Sequence, residues 1–336
     1  MSQWHPVAPY LDTASFGLPP DTAWTEFRRA LDDWRGGRTS WERWGESTER
    51  ARRAFARLHG VSAEAVAIGA TVYELVGLVA AAAPDGSCVL GADGDFASLL
   101  FPWAAHDRRG VSITTVPLAE LPERITAATD VVVVSLVQSA TGELAPLDEI
   151  VAAARAADAL VVVDATQACG WLPFDAARLD ALACAGYKWL LAPRGTAYLY
   201  VGDTLRGRLA PIHAGWCAAE DIHGSYYGLP PRLAASARRF DTSPAWFSWV
   251  GAAPALELLE EIESSGSGDT TSSSPTAFAT ASGSNRATRR SSPRQCRMRR
   301  HDSSAPASAR RHVRVTCAPR FTSTTRRRTS TRRSKH

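Results

Sequence analysis

Two strongly apolar runs restrict the possible folds of this chain more than any other feature of the sequence. Residues 131–137 (VVVVSLV) and 160–165 (LVVVDA) lack the alternation of polar and apolar side chains seen in half-exposed strands. Strands of this kind are buried on both faces, as in a parallel sheet covered by helices on each side. Strand-like runs alternate with helical patterns along the first 262 residues, which favours an α/β fold with a doubly wound sheet. The strand-like runs are 88–91, 111–116, 131–137, 159–165 and 196–201, and the helical patterns are 47–58, 72–82, 147–157 and 250–262.

The composition of the chain changes at about residue 263. Residues 1–262 carry 21 Lys+Arg against 31 Asp+Glu, whereas residues 263–336 carry 17 against 3. The second part is rich in Ser, Thr and Arg and has no apolar periodicity, so we expect a disordered basic tail. The predicted organisation is an N-terminal segment over 1–20, a large α/β domain over 21–262 and the tail over 263–336.

Several classes of protein do not fit this sequence. It contains no run of 18 apolar residues, and its first residues lack the charged and apolar regions of a signal peptide. Its six cysteines show no metal-ligand spacing, which favours reduced thiols in a cytoplasmic protein and no metal. Basic residues without interleaved aromatic residues or a fold are a weak signal for nucleic acid, so no specific nucleic-acid partner and no membrane partner are expected.

Lysine is nearly absent from the chain, and its placement suggests covalent chemistry. Lys188 and Lys335 are the two lysines beside 36 arginines, and Lys188 lies in the apolar stretch AGYKWLLAP. Asp164 ends an apolar strand, where ligands of parallel sheets bind. A structural lysine and a helix-capping aspartate are the alternative interpretation. Together, however, the two residues match the amine and the ring-nitrogen acid that pyridoxal 5'-phosphate requires.

The segment VVVDATQACGWLPFDAARLDALACAGYKWLLAPRGTAYLYV (161–201) resembles the cofactor segment of class V aminotransferases, which are fold type I enzymes. That group includes cysteine desulfurases and isopenicillin N epimerase. The shared pattern is an aspartate, two residues, a glutamine, and then a lysine before an aromatic residue and a Gly-Pro-Gly-like loop. The resemblance implies a mainly parallel seven-stranded sheet flanked by helices, followed by a small C-terminal domain. It also implies that Lys188 forms a Schiff base with the cofactor, Asp164 contacts its ring nitrogen and Gln167 its phenolic oxygen.

Other segments follow the family order. GATVYELVGLVA (69–80) resembles the turn that binds the phosphate, which implies this role for Ala70 and Thr71. DGDFASLLFPW (93–103) resembles the segment whose aromatic residue stacks on the cofactor ring, which implies this role for Phe96. SLVQSATGELAPLDEI (135–150) resembles a loop that approaches the phenolic oxygen, through either Gln138 or Ser139.

Two further segments bear on the substrate pocket and on assembly. YLDTASFG (10–17) resembles the opening segment that lines the substrate pocket. RFDTSPAW (239–246) resembles a segment that completes the phosphate site of a neighbouring subunit, which implies this role for Ser243 and a homodimer with shared active sites.

Two departures from the family pattern are informative. Ala185 replaces a serine that donates to the phosphate, and Tyr187 is expected to compensate. Phe96 stands where cysteine desulfurases usually carry histidine, which favours the aminotransferase, epimerase or lyase branches.

The C-terminal part departs further. The family's carboxylate-binding arginine, in a pattern like RxSxHxYNTxxDVD, is missing, so the small domain is expected to be lost or disordered. With plausible GC-rich codons, a shifted reading frame over 272–293 and 316–328 gives LANRFRDGLGLEPGDSAIVS and LRTSIHLYNTE, both family-like. We therefore interpret the tail as the product of a frameshift near 263–269, which resequencing of the gene would test.

The expected function is that of a pyridoxal-phosphate-dependent enzyme acting on an amino acid as an aminotransferase, epimerase or lyase. A cysteine desulfurase or selenocysteine lyase is the alternative within the family. A non-catalytic binding protein with the same fold is the alternative from another class.

Overall fold

A computed structural model describes residues 3–39 and 41–266. Its helices are α1 Asp21–Arg35, α2 Trp41–Leu58, α3 Val72–Ala81, α4 Ala97–Ala104, α5 Leu121–Arg124, α6 Leu147–Ala156, α7 Asp203–Arg206 and α8 Trp246–Gly266. Its strands are β1 Val66–Gly69, β2 Cys88–Ala92, β3 Ser112–Val116, β4 Val131–Ser135, β5 Leu160–Asp164, β6 Ala181–Ala185 and β7 Ala197–Val201. The predicted tail falls mostly outside the described residues, while α8 continues to Gly266, beyond the predicted domain end at 262.

The strands form one sheet in the order β1-β7-β6-β5-β4-β2-β3. Strand β7 runs antiparallel to both of its neighbours, and every other pairing is parallel. This is the mainly parallel, seven-stranded α/β sheet that the sequence predicts. The carboxyl ends of β4, β5 and β6 therefore meet at one edge of the sheet.

Side chains from alternate positions of the central strands enter two separate cores. On β4, Val132 and Val134 pack on the face covered by α2, α6 and α8, while Val131 and Val133 pack on the face covered by α3 and α4. Burial on both faces explains the unbroken apolar runs, because neither face of these strands meets water.

Strands β1 and β6 and helices α1 and α4 were not predicted. Strand β6 has the sequence ALACA, and alanine has a low strand propensity that hides a strand within a helix-like composition. Its place between β5 and β7 is fixed by pairing on both sides. Tertiary packing thus overrides local propensity at the strand that leads to Lys188.

Candidate active site

Lys188 lies in a tight loop between β6 and β7. The amide of Leu191 donates to the carbonyl of Lys188 (3.1 Å), and the amide of Ala192 donates to that of Gly186 (3.0 Å). Gly186 is needed here because a Cβ at this position would lie 2.4 Å from Thr196 Oγ1. The loop holds Lys188 with 8% of its surface exposed, at the carboxyl end of the sheet.

Asp164 is the last residue of β5, on the strand beside β6, and is 5% exposed. Its Oδ1 accepts a hydrogen bond from the Thr166 amide (2.9 Å). The hydroxyl oxygen of Thr166 accepts in turn from the Ala185 amide (3.0 Å), so this threonine ties the two strand ends together. Thr166 was not among the predicted site residues, since its role depends on the pairing of β5 with the unpredicted β6.

Burial shifts both ionisable groups towards their neutral forms. It raises the pKa of Asp164 to about 6, against the hydrogen bonds from Thr166, which lower it. It also lowers the pKa of Lys188, against the opposing charge of Asp164. A lysine with a lowered pKa offers a neutral amine for attack on a carbonyl carbon. A buried aspartate with a raised pKa gains from a cationic partner that would hold it as a carboxylate.

Asp164 and Lys188 line the same cavity, at the carboxyl ends of β5 and β6. Eight of the predicted site residues line it, namely Ala70, Thr71, Phe96, Ser139, Asp164, Gln167, Tyr187 and Lys188. They come from five separate loops or element ends, which only the fold brings together. The cavity is also lined by residues that were not predicted, including Tyr73, Ser98, Thr166 and Arg194.

Phe96 precedes α4 and presents a half-exposed ring to the cavity. The ring centroid lies 5.6 Å from Lys188 Nζ. Its exposure of 48% is high for a phenylalanine and shows that the protein itself does not cover this ring. An uncovered aromatic face beside a buried amine is suited to stacking on a flat heteroaromatic ring.

Asp95 organises the loops around Phe96 and was missed by the sequence analysis. Its carboxylate accepts from the Phe96 amide (2.6 Å) and the Ser135 amide (2.8 Å), and also from the Ser135 hydroxyl. Gln138 Nε2 donates to the same carboxylate (3.2 Å) and to the Ser135 carbonyl (3.2 Å). Asp95 thereby joins the loop before α4 to the end of β4, and it lies next to the residue that the family pattern singles out.

These hydrogen bonds help to distinguish Gln138 from Ser139 as the residue that approaches the phenolic oxygen. Gln138 is 7% exposed and does not line the cavity, whereas Ser139 lines it. Gln167 Nε2 donates to Ser139 Oγ (3.3 Å), and Trp189 Nε1 donates to Gln167 Oε1 (2.8 Å). The structure thus brings Ser139 and Gln167 together on one wall of the cavity and leaves Gln138 behind it.

The N-terminal segment closes over the Lys188 loop. The Gly17 amide donates to the Tyr187 carbonyl (2.8 Å), and the Phe16 and Tyr187 rings lie 5.2 Å apart. Gln167 Nε2 also donates to the Ala14 carbonyl (3.1 Å). A Cβ on Gly17 would lie 2.1 Å from the Lys188 carbonyl oxygen, so only glycine permits this approach. The segment 10–17 therefore borders the site, where the family resemblance puts it.

Thr71 is the N-cap of α3 and makes no side-chain capping bond. Its hydroxyl and the amides of the first turn are available to an anion, which the helix dipole also favours. The Ala70 amide, in contrast, already donates to the Glu74 carboxylate (2.9 Å). Of the predicted phosphate donors, the structure leaves Thr71 the more available.

Ser243 is the predicted site residue that does not line the cavity. It is exposed, and its side chain contacts the Cys217 thiol. Its predicted role concerns a neighbouring subunit, for which lining the cavity of its own chain is not required. It remains a prediction.

The chain belongs to the class V aminotransferase family, whose model matches residues 34–273. This confirms the predicted family, its fold type I architecture and its pyridoxal 5'-phosphate cofactor class. Among curated proteins, the uncharacterized aminotransferase YcbU of Bacillus subtilis is 32% identical over 67% of this chain and 62% of its own length. Isopenicillin N epimerase of Streptomyces clavuligerus is 34% identical over 63% of this chain and 58% of its own length. The chain thus spans about three fifths of these relatives.

Solved structures share the fold. A cystine C-S lyase, C-DES, in complex with cysteine persulfide superposes with a TM-score of 0.66 at 24% identity, covering 74% of this chain and 71% of that one. Apo cysteine desulfurase of Thermococcus onnurineus gives a TM-score of 0.65 at 21% identity, covering 75% of this chain and 67% of that one. Within the described residues, no helix has the length and apolar character needed to cross a bilayer.

Proposed function

We propose that this chain is a pyridoxal-phosphate-dependent enzyme that acts on an amino acid and holds its cofactor on Lys188. One observation carries the proposal: a buried lysine amine, a buried carboxyl and an uncovered aromatic ring line a single cavity at the carboxyl ends of β5 and β6. The shift of each pKa towards the neutral form is the second support, because it prepares the amine for attack on a carbonyl carbon.

The residues present fit the cofactor. Asp164 would pair with its protonated ring nitrogen, which supplies the cation that this buried carboxyl lacks. Phe96 would cover the ring, and Ser139 and Gln167 would contact the phenolic oxygen. Thr71 and Tyr187 would contact the phosphate, and the Ala70 amide would do so on release from the Glu74 carboxylate. When bound, the cofactor supplies an electron sink for bonds at the substrate Cα.

The groups available for proton transfer favour chemistry at Cα. Lys188 Nζ, with its lowered pKa, is able to take the proton from the substrate Cα, a step that transamination, epimerisation and elimination share. Among the described residues that line the cavity, none is a cysteine or a histidine. Phe96 stands beside Lys188 where cysteine desulfurases usually carry histidine, and this supports an aminotransferase, epimerase or lyase in preference to a desulfurase.

The proposal also includes a homodimer with shared active sites and a cytoplasmic location. Ser243 is exposed and outside the cavity of its own chain, as expected of a residue that serves a partner. Tyr227 and Leu229, in the preceding loop, are 94% and 88% exposed, as apolar side chains at a subunit contact would be in an isolated chain. The four cysteines within the described residues are free thiols, which suits a reducing compartment. Light scattering of the cofactor-loaded protein would test the dimer through its mass.

Lys188→Ala tests the main proposal. The wild-type protein incubated with pyridoxal phosphate is expected to show a visible absorbance band, and borohydride to fix the cofactor on the Lys188 peptide in a mass spectrum. The variant is expected to lose both signals completely, because Lys188 is the only lysine among the described residues. Lys335→Ala, which removes the other lysine, is the matched control and should keep both. A colourless wild-type protein, or a labelled Lys188→Ala variant, would contradict the proposal.

A further inference from the structure

Arg194 lines the Lys188 cavity and has no assigned role. It lies in the loop between Lys188 and β7, with its guanidinium carbon 4.9 Å from the centroid of the Tyr187 ring. Its backbone carbonyl accepts a hydrogen bond from Ser248 Oγ (2.8 Å), which ties the loop to α8. The contact with Tyr187 is a cation–π interaction that steadies the guanidinium beside the cavity.

Arg194 has no acidic partner among the residues that the structure describes. Within the part of the chain that the structure describes, no carboxylate lies within 4.0 Å of its guanidinium. The carboxylates nearby interact with other groups: Asp164 accepts a hydrogen bond from the Thr166 amide, and Asp95 accepts bonds from Ser135 and Gln138. Lys188 would also be occupied by the cofactor. Arg194 is then the remaining cation among the described residues of the cavity.

We propose that Arg194 binds an oxyanion in this cavity, an inference that rests on the proposed function. A guanidinium offers paired N–H donors to a carboxylate or a phosphate. Two sources have this chemistry: the cofactor phosphate, for which Ala185 offers no hydroxyl, and the carboxylate of the amino acid substrate. Tyr187 positions the cation, and Thr71 supplies a neutral donor in the same cavity.

Binding measurements on the full chain test this assignment without any turnover. Arg194→Gln removes the charge at similar length, Arg194→Lys keeps it, and Arg208→Gln is a matched control at an exposed arginine outside the cavity. In the phosphate arm, calorimetry on the cofactor-free protein measures the affinity for inorganic phosphate, and for pyridoxal phosphate relative to pyridoxal. In the carboxylate arm, tryptophan fluorescence of the loaded protein measures the affinity for propanoate.

Arg194→Gln is expected to weaken binding about tenfold or more in one of the two arms. The arm affected shows whether Arg194 binds the cofactor phosphate or the substrate carboxylate. Arg194→Lys should recover part of that loss, while Arg208→Gln should match the wild type. Affinities for all probes within about twofold of the Arg208→Gln values would overturn the assignment. Phosphate binding that depends on Arg194, in a protein that never forms the visible band, would separate this inference from a failure of the proposed function.

Discussion

Asp164 and Asp241 are both buried aspartates with a raised pKa, but their carboxyl groups have different partners. They are 5% and 3% exposed, and burial raises the pKa of each to about 6. Asp241 forms an ion pair with the buried Arg52 and accepts a further bond from the Ile68 amide (2.9 Å). Among the described residues, Asp164 has no guanidinium partner, and it accepts hydrogen bonds from Thr166 beside an open cavity. The first carboxyl is satisfied inside the fold, and the second is satisfied only when a ligand arrives.

The surroundings of the two pairs confirm this contrast. Arg52 also donates to the Val66 carbonyl, so its pair with Asp241 joins α2, β1 and the segment before α8. Lys188 and Asp164 line one cavity, and no hydrogen bond joins their side chains. A buried pair with every donor matched contributes to the fold, whereas an incomplete one in a cavity marks a binding site.

Asp241→Asn should give the largest effect, because it leaves the buried Arg52 guanidinium without its counter-charge. We expect a loss of about 3–5 kcal/mol in the free energy of unfolding, measured by urea denaturation of the cofactor-free protein. Glu49→Gln removes the other, partly exposed partner of Arg52 and should cost less than about 1 kcal/mol. Equal losses in the two variants would show that burial of the pair does not matter.

Asp164→Asn should instead increase the free energy of unfolding of the cofactor-free protein. The amide avoids the burial of a charge and still accepts from the Thr166 amide, so we expect a gain of about 2 kcal/mol at pH 8. The folded-state pKa of Asp164 is raised, so the wild-type protein loses stability as the pH rises from about 4 to about 6. The gain should therefore disappear below about pH 4, where the wild-type carboxyl is protonated in both states.

The same variant should bind pyridoxal phosphate more weakly, since the acid for its ring nitrogen is lost. Denaturation at pH 4 and pH 8, with and without the cofactor, measures both effects. A variant that is less stable than the wild type at both pH values would contradict this interpretation of Asp164.

The cavity residues that were predicted from the sequence lie in short segments with a recognisable pattern. Lys188 stands out because lysine is so rare here, and Asp164 because it ends an unbroken apolar strand. Ala70, Thr71 and Phe96 follow from segments in family order. These residues lie next to strand ends or helix starts, where local sequence and position in the sheet are strongly linked.

The residues that were missed depend on contacts between distant segments. Asp95 acts through Ser135 and Gln138, about 40 positions later, and Arg194 acts through its place above Tyr187. The sequence left Gln138 and Ser139 equivalent, because it does not show that Asp95 binds the glutamine behind the cavity wall. Pairing of β6, with its strand-poor alanines, also had to be known before Thr166 could be placed.

Phe96→Ala is expected to have the smallest effect on the free energy of unfolding. It tests a side chain that contacts a ligand and contributes little to the stability of the fold. The ring is 48% exposed, so its removal should change the free energy of unfolding by less than about 1 kcal/mol. Its loss should nevertheless weaken pyridoxal phosphate binding by about threefold to tenfold, because stacking between rings contributes about 0.5–1.5 kcal/mol. Phe101→Ala, in the helix that follows Phe96 and outside the Lys188 cavity, is the matched control and should leave that affinity unchanged. Equal affinities in the two variants, measured by titration of the visible band, would show that Phe96 is an ordinary surface residue.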